Sequence, residues 1–192
     1  MLLMNSRKPF PLPRARGFSL IEVLVSIFIV SLGILALGGL LQSASRYGKM
    51  SEVRSMATLL ANDIADRIRA NPGDAGANYT FGVSSSFPTD IATAASDCLQ
   101  AAPCSVAQLA QRDLYVWTKR LRSMLPDGSA YVQFKAPVGG STSKGAYDVW
   151  VAWRDPQTTT GATERSSTEC PSGWTGATSD SSVRCVYVQV GL

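Results

Sequence analysis

The sequence predicts an α+β protein: one very long N-terminal helix, then a globular part in which helix packs on a small antiparallel sheet. Three observations carry that expectation. Residues 18–41 form an apolar run interrupted by a single charge, Glu22. Residues 50–68 then keep an apolar stripe at three- and four-residue steps on an otherwise polar stretch. Near the C-terminal side, three short segments alternate apolar and polar residues with the period of a strand.

The apolar run from Phe18 to Leu41 has 24 residues, enough to cross a hydrocarbon core at 1.5 Å per residue. It lacks the short apolar region and A-x-A-like exit of an ordinary secretory signal. Gly38-Gly39 lies within it, a pair that suits either local bending or close packing of helices. Beyond Leu41 the same helix continues with Met50, Val53, Ala57, Leu60, Ile64 and Ile68 on its apolar face. Arg46, Lys49, Glu52, Arg54, Asp63, Asp66, Arg67 and Arg69 occupy the wet faces. Asn71-Pro72-Gly73 ends it, because proline disfavours helix in the residue before it. From Phe18 to Ala70 a continuous helix would be about 80 Å long.

Residues 72–104 have no sustained period and read as a long loop. Ser105 with Gln108 makes a capping-box signal for a second helix. Its apolar face is Val106, Ala110, Leu114, Trp117, Leu121 and Met124, and Pro126-Asp127-Gly128 stops it. The strand patterns place Ala130, Val132 and Phe134 on one face of the first strand. Tyr147, Val149, Val151 and Trp153 follow on the second, and Val186, Val188 and Val190 on the third. Trp117 and Trp153 fall on apolar faces and are expected in the core, whereas Trp150 and Trp174 are candidates for exposed contacts.

Charge is unevenly distributed. Arg7, Lys8, Arg14 and Arg16 lie in the first 17 residues, which hold no acid. Subtracting them from 18 basic residues leaves 14, equal to the 14 acidic ones. The pI near 9.0 therefore belongs to the leader, and a neutral remainder gives nucleic-acid binding no electrostatic support. The basic flank is expected to stay cytoplasmic and to send the residues after 41 outward, into an oxidising compartment.

Glu22 is the anomaly of the apolar run, since a carboxylate in a membrane segment costs roughly 2.5–3.5 kcal/mol on insertion scales. A cut after Gly17 would leave Phe18 with a free ammonium one helical turn away, a charge that could pair within the chain or with a neighbouring copy. The string Arg16-Gly17-Phe18-Ser19-Leu20-Ile21-Glu22-Val23-Leu24 resembles the prepilin signal of type IV pilins and type II secretion pseudopilins. The resemblance implies that Gly17 precedes the prepilin-peptidase cut and that Phe18 becomes the N-methylated mature terminus. It implies that Glu22 neutralises a neighbouring subunit's terminus during assembly. The chain would then divide into a cleaved leader (1–17), a membrane and fibre-core half of the helix (18–41) and a periplasmic, pilin-like head (42–192). The leader departs from the family in being long and bearing Pro9, Pro11 and Pro13, and Met4 could be the true start.

The head is similar to the PilV-type minor pilins, or type IV pilus modification proteins. The residues that carry this are Cys98…Cys104, then Asp113-Leu114 and Trp117, then Leu125-Pro126-Asp127-Gly128, then "YDVWVAWRD" at 147–155. The implied partners are the prepilin peptidase and N-methyltransferase, other minor pilins, the major pilin and the inner-membrane assembly platform. The implied location is the inner membrane, with the leader cytoplasmic and the head periplasmic, and afterwards the extracellular pilus.

Four cysteines permit three pairings. Local pairing joins Cys98 to Cys104 and Cys170 to Cys185. By the resemblance, the second loop matches the disulfide-bounded C-terminal region of many pilins. A zinc site is disfavoured by the absence of histidine and of any C-x-x-C. The lack of histidine also removes the commonest general base and the usual triads. Asp63 and Asp66 read as a solvated helix face rather than a catalytic pair. No catalytic residue, metal, cofactor or small-molecule substrate is expected. Three readings follow: a minor pilin that helps start, prime or cap a pilus; a type II secretion pseudopilin; and, from a different class, a membrane-anchored enzyme or binding module.

Overall fold

A computed structural model describes residues 17–71, 77–93, 103–137, 139, 144–155 and 169–192. The elements run α1 (Leu20–Ala70), α2 (Val106–Met124), β1 (Ser129–Lys135), β2 (Ala146–Arg154) and β3 (Val183–Gly191). Residues up to Ser45 and residues from Arg46 onward form two separate compact units.

In the first unit α1 begins at Leu20, and every described residue from Gly17 to Ser45 is exposed. Gly38-Gly39 does not interrupt the helix. The hydroxyls of Ser26 and Ser31 fold back to donate to the carbonyls of Glu22 and Ile27, at 2.7 and 2.8 Å, so neither carries an unmet polar group.

The second unit is built on the apolar stripe of α1. Ala57, Leu60, Ala61, Ile64, Ala65 and Ile68 are buried, while Met50 stays exposed at the end of the stripe. The capping box of α2 forms as its sequence predicts: the Gln108 amide donates to Ser105 Oγ at 3.3 Å, and the Ser105 amide donates to Gln108 Oε1 at 2.9 Å. Ala110, Leu114, Trp117 and Leu121 are buried along its length, but Met124 is exposed, because the helix exits there. Leu125 then adopts an extended conformation (φ −118°, ψ 140°) ahead of Pro126.

The sheet has order β1-β2-β3, antiparallel throughout, with Val132 opposite Val149 and Val149 opposite Val188. Its inner face, Val132, Tyr147, Val149, Val151, Trp153 and Val190, joins the buried residues of α1 and α2 in one core. The outer face carries a second cluster around Tyr131, Ala152, Cys185 and Val183, covered by Phe87, Cys170, Trp174 and Ala177. Trp174 is therefore not an exposed contact residue. It is fully buried, 5.8 Å from the Phe87 ring and 5.5 Å from the Tyr131 ring. Trp150 is half-buried and stacks 4.9 Å from Tyr187. Within the long loop expected at 72–104, Phe81 forms an isolated antiparallel bridge with Val132 at the edge of the sheet.

Candidate processing and assembly site

The peptide between Gly17 and Phe18 precedes the helix. Gly17, Phe18 and Ser19 are non-helical, a Cβ on Gly17 would meet nothing within 4 Å, and Phe18 is 82% exposed. Helical hydrogen bonding starts immediately afterwards, with the Glu22 and Val23 amides both donating to the Ser19 carbonyl, at 3.0 and 3.3 Å. The junction is thus an exposed, non-helical peptide open to a protease. Glu22 lies in the first turn of α1, where a carboxylate is favoured by the positive end of the helix dipole. Hydrolysis of the Gly17–Phe18 bond would create an amine on the neighbouring turn. Methylation keeps that charge, so an ammonium and a carboxylate would then share the start of an apolar helix. The leader basic residues lie outside the described residues.

In the head, the chemistry-bearing residues fasten elements together. Arg67 bridges Asp63 at 3.2 Å and Asp113 at 3.1 Å, while the Tyr79 hydroxyl donates to the other Asp113 oxygen at 2.8 Å. Asp63 is thus a half-buried partner of Arg67, unlike exposed Asp66, which corrects the expectation of a common solvated face. Trp117 Nε1 donates to the Leu60 carbonyl at 2.8 Å, tying α2 to α1. Gly128 sits so close to α2 that a Cβ would lie 2.4 Å from the Leu121 carbonyl oxygen. Arg154 donates to Asp127 at 2.8 Å, to Asp180 at 2.5 Å and to Ser182 at 2.9 Å, binding the turn after α2 to the turn before β3. Asp180 is held down at about 2, chiefly by the hydroxyl and amide of Ser182 and further by Arg154, against the opposing effect of burial.

Burial alone would raise the Asp148 carboxyl, but donation from Lys135, Tyr187 and Gln189 outweighs it and holds the group below its ordinary value. The Tyr187 phenol is correspondingly pushed up to about 12, by burial first and then by its bond to Asp148. A cavity of about 350 Å³ is walled by Met50, Val53 and Trp153, with Lys49, Arg54, Arg184, Asp155 and Glu169 also lining it. Its mixed charges include an Arg184–Glu169 pair at 3.8 Å, and they converge on no reaction centre. Among the described residues no group of histidine, cysteine or acidic side chains could hold a metal ion.

Cys170 and Cys185 are joined by a disulfide that closes a separation of 15 residues. Cys104 is also disulfide-bonded, but the expected Cys98–Cys104 pairing cannot be described, because Cys98 lies outside the described residues.

Comparison with protein families gives two matches, one on each side of this arrangement. Residues 12–38 match the prokaryotic N-terminal methylation motif, which spans the Gly17–Phe18 junction, Glu22 and most of the apolar run. The class these features support is the type IV pilin superfamily, whose members are structural rather than catalytic. Within that class, residues 45–115 match the family of type IV pilin Tt1218, covering the second half of α1 and the first half of α2. No curated protein and no solved structure gives a significant match.

Proposed function

We propose that the chain is a minor pilin. It is made as an inner-membrane precursor with a cytoplasmic leader (1–17), an apolar helical segment (18–41) and a periplasmic head (42–192). Prepilin peptidase cuts after Gly17, the new Phe18 amine is methylated, and the subunit then helps to start, prime or cap a type IV pilus with other minor pilins and the major pilin on the inner-membrane assembly platform. The observation that carries this reading is the start of α1. An exposed, non-helical Gly17–Phe18 peptide stands one turn before a lone carboxylate, ahead of a helix long and apolar enough to cross a membrane. An acid at that depth is costly unless a cation comes with it. The order of the head motifs, from Asp113 through Leu125–Gly128 to Trp153-Arg154-Asp155, favours a PilV-type subunit over a type II secretion pseudopilin, which would share the same N-terminal signal.

Mass spectrometry of sheared pili should find a chain that begins at N-methyl-Phe18, and residues 1–17 still attached in assembled protein would refute the proposal. Gly17→Val should block the cut. Glu22→Ala should still be cleaved and should remain stable in the membrane, because a costly charge is gone. It should fail to enter pili, since the Phe18 ammonium then lies unpaired in an apolar core at a cost of several kcal/mol. Equal recovery of Glu22→Ala and wild type in sheared pili would show that the acid has no pairing role. Normal pili together with defective protein secretion on deletion would favour the pseudopilin reading instead.

A further inference from the structure

Four oxidisable rings lie in a row on the outer face of the sheet. Trp174 is 5.5 Å from Tyr131, Tyr131 is 5.5 Å from Trp150, and Trp150 is 4.9 Å from Tyr187, centre to centre. The sheet sets the last three, because Tyr131, Trp150 and Tyr187 are direct neighbours in register on β1, β2 and β3. The row runs from inside to outside. Trp174 is fully buried, Tyr131 is buried, Trp150 is half-buried and Tyr187 is 47% exposed. The Cys170–Cys185 disulfide shares the cluster with Trp174 and Tyr131.

The two ends differ in what they can do with a proton. Trp174 Nε1 is buried without an acceptor, although a buried indole N–H ordinarily has one. Among the described residues the Tyr131 hydroxyl and the Trp150 N–H have no acceptor either. Tyr187 is the ring of the row that is supplied: its hydroxyl donates to Asp148 Oδ1 at 2.7 Å. That carboxylate is 1% exposed and also accepts from Lys135 and Gln189, which hold it in place. Losing an electron makes an indole N–H or a phenol O–H strongly acidic, so the loss becomes fixed where a base takes the proton. An oxidised Trp174 has no such base in reach. Tyr187 does.

We propose that the row carries a one-electron oxidation outward from the buried indole and that the oxidation comes to rest on Tyr187. A radical in solution, of the carbonate or peroxyl class, takes one electron from the row and is reduced by it. The missing electron is replaced from the next ring, and finally from Tyr187. As that electron leaves, the Tyr187 proton passes to Asp148 Oδ1, which gives a neutral phenoxyl and a carboxylic acid. One electron from a thiolate or ascorbate in solution, with return of the proton from Asp148, restores the pair. The buried indole and the disulfide beside it are spared, and Tyr187 is where oxidation is found. All the groups involved belong to the head, so the inference holds for chains cut or uncut after Gly17.

Photogenerated tris(bipyridine)ruthenium(III), a one-electron oxidant, tests it on the purified full-length chain in detergent, with oxidised residues located by peptide mass spectrometry. In wild type Tyr187 should be marked and Trp174 spared. Tyr187→Phe keeps the ring but has no hydroxyl proton to give, and oxidation at Trp150 and Trp174 should rise several-fold. Asp148→Asn keeps the phenol but removes the base, and it should have the same effect. Trp117, buried in the inner core, and exposed Tyr47 should not change in either variant. N-bromosuccinimide attacks an indole by contact, so its reaction with Trp150 and Trp174 should be the same in wild type and variants. Equal oxidation of the row in wild type and either variant would overturn the inference. So would a matching rise at Trp117, at Tyr47 or with N-bromosuccinimide, because the variants would then have loosened the head or left more oxidant unspent.

Discussion

Replacing both Cys170 and Cys185 by alanine removes the bridge that closes a separation of 15 residues. A loop of that length constrains the unfolded chain by about 3 kcal/mol in the loop-entropy treatment. Both sulfurs are buried within the outer-face cluster, so their loss also leaves a small void. The cluster is built mostly from segments without regular structure: Phe87, Trp174 and Ala177 lie outside every helix and strand. Their attachment to the sheet depends on few backbone bonds, among them Phe87 N–H to the Thr175 carbonyl at 2.8 Å. The double variant should therefore lose about 3 kcal/mol, and the loss should fall first on residues 169–182. Urea unfolding followed by tryptophan fluorescence distinguishes the two cores, because Trp174 lies in the outer cluster and Trp117 in the inner one. In wild type both should report one transition. In the variant the Trp174 signal should change at lower urea than the Trp117 signal, each isolated by replacing the other tryptophans with phenylalanine. Coincident transitions with an unchanged midpoint would refute the reasoning, since the bridge would then contribute nothing that the packing does not already supply.

Gly128→Ala should destabilise the head by about 2–3 kcal/mol, because its Cβ would sit 2.4 Å from the Leu121 carbonyl oxygen, a backbone atom that cannot step aside; thermal unfolding of the variant checks this. Asp180 has a depressed folded value, from 3.8 to about 2, so its stabilising effect is complete above pH 4 and disappears as pH falls through about 2. Asp180→Asn should flatten that part of an acid-unfolding curve. Tyr187 is raised from 10.0 to about 12, so its contribution is complete below pH 10 and is lost as pH rises through about 12; the phenolate absorbance near pH 12 should be smaller in Tyr187→Phe than in wild type.

The parts of the fold legible in the sequence are those whose cause is local. The Ser105–Gln108 cap, the stop at Pro126, and the alternation of β1 and β2 each depend on residues a few positions apart. The candidate processing site is the same kind of feature, since Gly17, Phe18 and Glu22 lie within one turn of the helix start. Trp174 was not legible, because its burial comes from Phe87 and Tyr131, which are distant in sequence and lie partly in aperiodic chain. Asp63 and Asp66 show the same limit. Both sit on the polar side of the stripe and each pairs with an arginine of α1, Asp63 with Arg67 and Asp66 with Arg69; only the placement of α2, which brings Asp113 to Arg67, draws the first pair into a link between helices while the second stays exposed. The Phe81 bridge at the β1 edge escaped for a similar reason, since Phe81 belongs to no periodic segment.

The division of α1 has an energetic consequence. Among the described residues, the buried part of α1 in the head's core runs from Ala57 to Ile68. The apolar residues from Phe18 to Leu41 are exposed, Leu20, Ile27, Phe28, Leu35 and Leu41 among them. Burying one such side chain is worth about 1.5–3 kcal/mol, so the run as a whole represents tens of kcal/mol that folding of the head leaves unused. On the proposed function that free energy is realised outside the chain, first in lipid and then in a bundle of like helices. In lipid, Glu22 opposes it. In a bundle, each helix that brings a carboxylate also brings a Phe18 ammonium, provided the leader has been cut. On the proposed function, cleavage would change the sign of Glu22: a residue that disfavours burial in the precursor would become one that requires a neighbour in the mature subunit. A precursor that entered a bundle uncut would carry the acid without its cation, so the proposed function requires processing to come before assembly.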